Sequence, residues 1–337
     1  MSTPLSLCNL PDVVTRIIFN KVGFKSIQSL RKVCHDLRNR IDDIKPEANL
    51  LYVHIRVTDC EFQFWYESKY NAFRMALHVE YGKNVETVEN GQSTVSNGGL
   101  KKMVKGDYVE LASRDFALIC KFQKKNMTKI RFNSYTKHSS HFLQFLETLK
   151  SFLSLENRLL KVDEVNINTS DQKSVITALS LIDPQSIKMI GLSDWYAKNE
   201  PVEFPEIMEM EQWKTAKSFE CDYTITGVSL RNFFHFSNIH VALQSISVED
   251  LLDLKKNSSE ADMFYIQYKT LEGRKQFLER MGPALRMRFD DAFEWFFRIS
   301  TTDDYVLWIK LEDEAIRTIK FDRLSKDNVP AYAVIQD

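Results

Sequence analysis

The sequence predicts a small α-helical module followed by an α/β domain in which helix and strand alternate in an irregular, leucine-rich-repeat-like way. Three observations carry that reading. The first forty residues hold two helix-period apolar runs with too little chain around them to cover both. From residue 129 onward, short β-like phrases recur mostly every 20 to 30 residues with helical runs between them. Hydrophobic residues make up 44% of the chain and aromatics 12%, with only 10 Gly and 8 Pro, which suits a packed core better than a disordered linker. A length of 337 residues accommodates a helical module at 1–46, a β-rich connecting segment at 47–98 and an α/β repeat domain at 99–337.

The first helix is expected to begin at Pro11, whose missing N–H costs nothing at a first helical position. Val14, Ile17, Ile18 and Val22 follow at helical spacing up to Gly23, a C-terminal stop. A second helix starts after Ser26 as N-cap, with one stripe of Ile27, Leu30, Val33, Cys34, Leu37 and Ile41. That stripe is wider than a small helix pair covers alone, so the excess is buried on the rest of the chain or on a partner. Within it Cys34 reads as a small buried hydrophobe.

Pro46 closes the module, and Leu51–Val57, Phe62–Tyr66 and Phe73–Val79 read as strands from their β-branched and aromatic content. Residues 84–99, with Asn90-Gly91 and Asn97-Gly98-Gly99, are the most loop-like part of the chain and mark a boundary. Helical runs at Phe142–Leu149 and Ser174–Leu179 alternate with strand phrases at Lys129–Phe132, Glu164–Ile167, Ile187–Leu192, Lys217–Cys221, Leu243–Val248 and Phe264–Tyr268. No phrase carries a full leucine-rich-repeat signature, so the horseshoe is expected to be degenerate, and an ordinary α/β sheet remains open. Trp295–Ile299, Tyr305–Ile309 and Thr318–Phe321 read as successive antiparallel strands that cap the open end, with Asp303-Asp304 turning between the first two.

The formal net charge is −1; residues 1–50 hold 8 Lys and Arg against 5 Asp and Glu, and the remainder 37 against 41. Neither part has the basic excess of a nucleic-acid footprint. Cys8, Cys34, Cys60, Cys120 and Cys221 are odd in number and widely spaced, which suits reduced intracellular thiols. The first residues have neither a charged n-region nor an apolar h-region, and no stretch reaches the length of a membrane span. The expectation is a soluble cytoplasmic or nuclear protein.

Chemistry-bearing motifs are sparse. Phosphate-cradling loops, nucleophile elbows and His-Glu-x-x-His helices are absent from the sequence, and no metal or cofactor is expected. The nearest metal-like pair, His138 and His141, has only Glu147 as a nearby carboxylate and reads as a solvated helix start. Asp290-Asp291 and Asp303-Asp304 are adjacent, so their side chains do not converge. Trp195, Tyr196, Trp213 and Tyr223 sit near strand ends, where aromatic anchors grip a partner, although the same residues equally well fill a core.

Leu10-Pro11, Val14, Ile17 and Ile18, followed by Leu30-Arg31-x-Val33-Cys34-x-x-Leu37-Arg38, resemble an F-box, the short module that docks onto the Skp-type adaptor of cullin-RING ubiquitin ligases. The chain from about Gly99 to the C-terminus is similar in layout to the FTH domain that follows the F-box in a large nematode family. The resemblance makes Leu10, Pro11, Val14, Ile17, Ile18, Leu30, Val33, Cys34 and Leu37 candidates for the adaptor interface or the small core behind it. It implies a non-catalytic substrate-recognition subunit of a Skp-cullin-F-box ligase, with the adaptor and through it a cullin as partners and a protein as target. Two other readings stay open: a scaffold or translational regulator acting without degradation, and an unrecognised α/β enzyme.

Overall fold

The computed structural model describes residues 7–68, 77–83, 92–97, 99–135, 140–193, 201–257, 262–286, 292–299, 302, 304–313 and 316–336. They form two compact units, Met1–Ile187 and Lys188–Asp337.

The first unit opens with helices α1 (Asp12–Lys21), α2 (Phe24–Leu30) and α3 (His35–Ile44). Pro11 precedes α1 as its N-cap, and Gly23 is the N-cap of α2, so Ser26 lies inside that helix rather than at its start. The single second helix expected from the Ile27–Ile41 stripe is two helices. The chain turns at residues 31–33 and restarts at Cys34, whose sulfur accepts the Leu37 N–H at 3.4 Å. An extended Cys34 cannot continue α2, and its side chain satisfies an amide that the new helix leaves open. Lys45 then ends α3 in the left-handed conformation ahead of Pro46.

Strands β1 (Leu50–Val57), β2 (Glu61–Ser68), β3 (Leu77–Lys83), β4 (Gln92–Asn97) and β5 (Leu100–Lys105) form an antiparallel meander. Residues 92–97, expected in a loop, are thus a strand, held on both sides by partners that local composition does not reveal. The boundary expected near residue 99 falls at the β4–β5 turn, where Gly99 takes φ +88°. Helix α4 (Tyr108–Lys121) begins at Asp107, whose carboxylate accepts from the amides of Val109 and Glu110. Strand β6 (Met127–Ser134) then pairs parallel to β1, helix α5 (Ser140–Ser154) follows, and β7 (Val162–Asn168) pairs parallel to β6 before α6 (Gln172–Ser180).

Period-two burial gives this sheet one greasy face. Val53, Ile55, Val57, Phe62, Phe64, Ile130, Phe132, Val165 and Ile167 are buried, and the aromatic ones meet the helices at Phe64–Phe116 (5.8 Å between ring centres), Phe62–Phe145 (5.2 Å) and Phe132–Phe142 (6.3 Å). The helical module joins the same core. Phe24 packs on Tyr66, Ala48 N–H donates to Phe122 O at 2.8 Å, and the Gln123 amide ties both backbone groups of Leu50.

In the second unit, β8 (Met189–Ser193), β9 (Ser218–Ile225), β10 (Asn238–Ser247) and β11 (Met263–Glu272) lie parallel in chain order. Short helices α7 (Pro205–Met208) and α8 (Glu211–Thr215) precede β9, and α9 (Val248–Asn257) links β10 to β11. The Leu243–Val248 phrase is therefore the end of a strand running straight into a helix. After α10 (Arg274–Met281), strands β12 (Leu285–Arg286), β13 (Phe293–Arg298), β14 (Tyr305–Asp313) and β15 (Arg317–Ser325) form an antiparallel run, of which β13, β14 and β15 are the three strands that the sequence predicts and β12 is an addition. β15 adds antiparallel to β11, and β16 (Ile335–Gln336) pairs with β13. The chain as a whole is a helical N-terminal region followed by mixed α/β structure.

Candidate functional site

The nine residues singled out near the N-terminus separate into three environments. Leu37 is buried, in the small core with Phe19, Phe24, Ile27, Ile41 and Ile44. Leu10, Ile18 and Leu30 are half-buried. Pro11, Val14, Ile17, Val33 and Cys34 are exposed, Val14 at 41%, Ile17 at 53% and Val33 at 68%. Val13, one turn before Ile17 on α1, joins them at 70%. The i, i+4 spacing of Val13 and Ile17 is the signal that a pattern centred on Val14, Ile17 and Ile18 passes over. Burial of Cys34 as a hydrophobe does not occur, because it is the exposed cap of α3.

This apolar face is held open by polar clamps behind it. Arg31 forks onto Asp42 through Nε–Oδ1 at 2.8 Å and Nη2–Oδ2 at 2.9 Å, locking the end of α2 against α3. Its guanidinium also lies over the Phe122 ring, and Arg38 Nε donates to its carbonyl. Arg40 donates to the carbonyls of Cys8 and Leu10 and to Asp12 Oδ1, strapping the segment before α1 onto α3. Val13, Ile17 and Val33 are left mostly in solvent by this unit's own packing.

The aromatic candidates fare differently. Trp213 is 2% exposed, its ring edge-on to Phe219 (4.6 Å), Phe236 (5.0 Å) and Phe233 (5.6 Å). Tyr223 is buried against Phe204, and its hydroxyl donates to Ser193 O at 3.0 Å. Both are core residues rather than surface anchors, because burial leaves neither ring exposed to grip a partner. Trp195 and Tyr196 lie outside the described residues, as do His138, Asp290, Asp291 and Asp303. His141 is in α5 against Tyr108, and Glu147 pairs with Lys173 at 3.0 Å instead of facing it. Among the described residues no group of three His, Cys, Asp or Glu is placed to hold a metal ion, and no helix is long and apolar enough to cross a membrane.

A cavity of about 430 Å³ in the first unit is lined by Cys120, Arg158, Lys124, Lys161 and Asp183, among others. Burial pushes the Cys120 thiol up to about 12 despite the charge of Arg158, so it is protonated at neutral pH and is no activated nucleophile. Arg158 spends one N–H on the Cys120 carbonyl at 2.9 Å, closing the end of α4.

Comparison with known proteins agrees with this layout. The F-box domain family matches residues 7–48, which end just past α3, and the FTH domain family matches residues 143–275, which run from α5 in the first unit to the start of α10 in the second. The chain is 22% identical over 271 residues to F-box A protein 224 of Caenorhabditis elegans, an alignment spanning 77% of this chain and 65% of that relative's length. No solved structure matches it. The F-box match lies over the helical module and the FTH match over part of the α/β region after it, so the chain carries an F-box domain followed by an FTH domain.

Proposed function

We propose that this chain is a substrate-recognition subunit of a Skp-cullin-F-box ubiquitin ligase. In this reading α1 and the α2–α3 turn dock on a Skp-type adaptor, which connects them to a cullin, and the α/β region holds the target protein. F-box domains in general serve substrate recognition in such ligases, and the observation that carries the reading here is that Pro11, Val13, Val14 and Ile17 at α1 and Val33 in the α2–α3 turn are exposed while Phe19, Phe24, Ile27, Leu37 and Ile41 of the same module are buried. The chain contributes proximity rather than bond chemistry: holding the target beside a charged conjugating enzyme replaces diffusional encounter with a high local concentration. Strands reached in turn through helices, as in β6-α5-β7 and β10-α9-β11, support an irregular leucine-rich-repeat-like reading of the target-holding part. The same reading puts the protein in the cytoplasm or nucleus.

The test is capture of the full chain by an immobilised Skp-type adaptor. Ile17→Asp and Val33→Asp change exposed side chains, so the fold persists while capture falls about tenfold or more. Undiminished capture by both variants overturns the proposal. Under proteasome inhibition, a target that accumulates on the chain supports the degradative role, and target levels unchanged by inhibition favour a scaffold.

A further inference from the structure

The sheet of the first unit has a second face, on the side away from α4 and α5. Across it runs a row of side chains in register: Arg131 on β6, His54 on β1, Trp65 on β2 and His78 on β3. At the usual strand spacing the row spans about 14 Å, the length of roughly four residues of extended chain. His54 stacks on Trp65 with 4.8 Å between ring centres, and Trp65 on His78 at 4.8 Å and 9° between planes. All four are half-buried, and among the described residues none makes a hydrogen bond, ion pair or ring contact with a helix.

The chemistry of this row is one-sided. Both faces of Trp65 are taken by histidines, so the ring has none left for a base or a cation to stack on, and its edge and indole N–H remain. No described residue accepts that N–H. Burial and the positive charges of Arg131 and Arg56 lower the His54 pKa to about 4, so His54 is neutral at pH 7. Asn133 lies 3.0 Å from His54 Nε2; the amide N–H donates to that nitrogen, which leaves Nδ1 as a donor. Arg131 has no ion pair among the described residues, and Arg56 lies over Tyr135 with its Nε lacking an acceptor. The acids of this face are spent or at its margin: Glu164 pairs with Lys129, Glu80 takes His78, Gln63 and Ser96, Glu61 accepts from Gln63 at 2.8 Å, and Glu67 sits opposite Tyr52. The second unit shows the ordinary alternative, because its outward lysines are neutralised locally in Lys310–Glu312 (2.5 Å) and Lys320–Asp322 (2.9 Å).

We infer that the Arg131–His54–Trp65–His78 row, with Arg56 beside it, is where the chain grips an acidic extended segment of its target. The inference rests on the substrate-receptor reading and adds to it the face used and the chemistry of what is held. An extended peptide rich in carboxylates presents acceptors to a flat row of donors, and two guanidiniums that make no ion pair among the described residues favour it over a neutral or basic segment.

The experiment uses the full chain bound to its Skp-type adaptor and fluorescence anisotropy of three labelled probes: an octapeptide alternating Glu and Ala, its Lys and Ala counterpart, and an eight-nucleotide oligouridine. Saturable binding of the Glu peptide alone is expected, weakened about tenfold or more by Arg131→Glu and severalfold by Arg131→Gln and Arg56→Gln, with adaptor capture unchanged in each variant. No binding of the Glu peptide, equal binding of the Lys peptide, preferential binding of oligouridine, or affinity indifferent to both Arg131 variants overturns the inference. Arg131→Gln keeps the side-chain bulk and decides the matter if the charge reversal unfolds the sheet. Because adaptor capture is read separately, the inference can fail while the ligase reading stands.

Discussion

The exposed face of α1 and the aromatic cluster around Trp213 present similar apolar side chains in the sequence and opposite situations in the fold. On α1, Val13, Val14 and Ile17 stand in solvent, although Phe19 and Thr15 of the same helix are buried. In the second unit, Trp213, Phe219, Phe233 and Phe236 are buried together and leave nothing to offer a partner. Apolar character alone therefore does not mark a binding surface. What marks it is apolar surface left over after local packing is complete, and that remainder depends on which face of a helix the neighbouring strands and helices reach.

The largest effect expected from this contrast is at Trp213. Trp213→Ala removes a side chain packed against three phenylalanine rings and leaves a cavity that the surrounding core closes only in part. It should lower the stability of the second unit by about 3–5 kcal/mol, seen as a lower denaturant midpoint. Adaptor capture should be unaffected where the chain remains folded. A loss below about 1 kcal/mol would return Trp213 to the surface and erase the contrast.

Leu37→Ala asks the same question within the helical module. Leu37 is the member of the nine-residue adaptor set that is buried, so truncation should cost about 2–4 kcal/mol of stability, measured by thermal or chemical melting. Its effect on capture should follow the folded fraction. Weakened capture by a fully folded variant would move Leu37 from the core to the interface.

Much of the architecture is legible in the sequence because it is periodic. β1, β2, β6, β7 and the three C-terminal strands follow runs of alternating or β-branched residues, and α5 and α6 follow 3.6-residue spacing. The break between α2 and α3 is not legible, since Ile27, Leu30, Val33, Cys34 and Leu37 keep helical spacing through a turn that Arg31 and Asp42 stabilise from outside the pattern. Strand β4, Gln92–Asn97, is polar and takes its form from β3 and β5 beside it. The candidate site was readable as a set of residue types, but not its division into exposed Val33, half-buried Leu30 and buried Leu37. The Arg131–His54–Trp65–His78 row was invisible for a related reason: four positions spread over 78 residues of chain become neighbours only through the register of four strands.

The smallest effect on stability, and the sharpest probe of the α1 face, is at Cys34. Its thiol accepts the Leu37 amide at 3.4 Å, a weak cap at a position where a carboxylate is a better acceptor and sits favourably at the positive end of α3. Cys34→Asp should therefore raise the stability of the first unit by about 0.5–1 kcal/mol in chemical denaturation. The same change puts a charge beside exposed Val33, on the surface proposed to meet the adaptor, where desolvating a carboxylate is unfavourable. Capture should then weaken while stability rises, a combination that no loss of folding can produce. If stability and capture rise together, the apolar face ends before Cys34 and the interface is confined to α1 and Val33. If stability falls, the thiol holds α3 by packing rather than by capping, and the restart of the helix at Cys34 has some other cause.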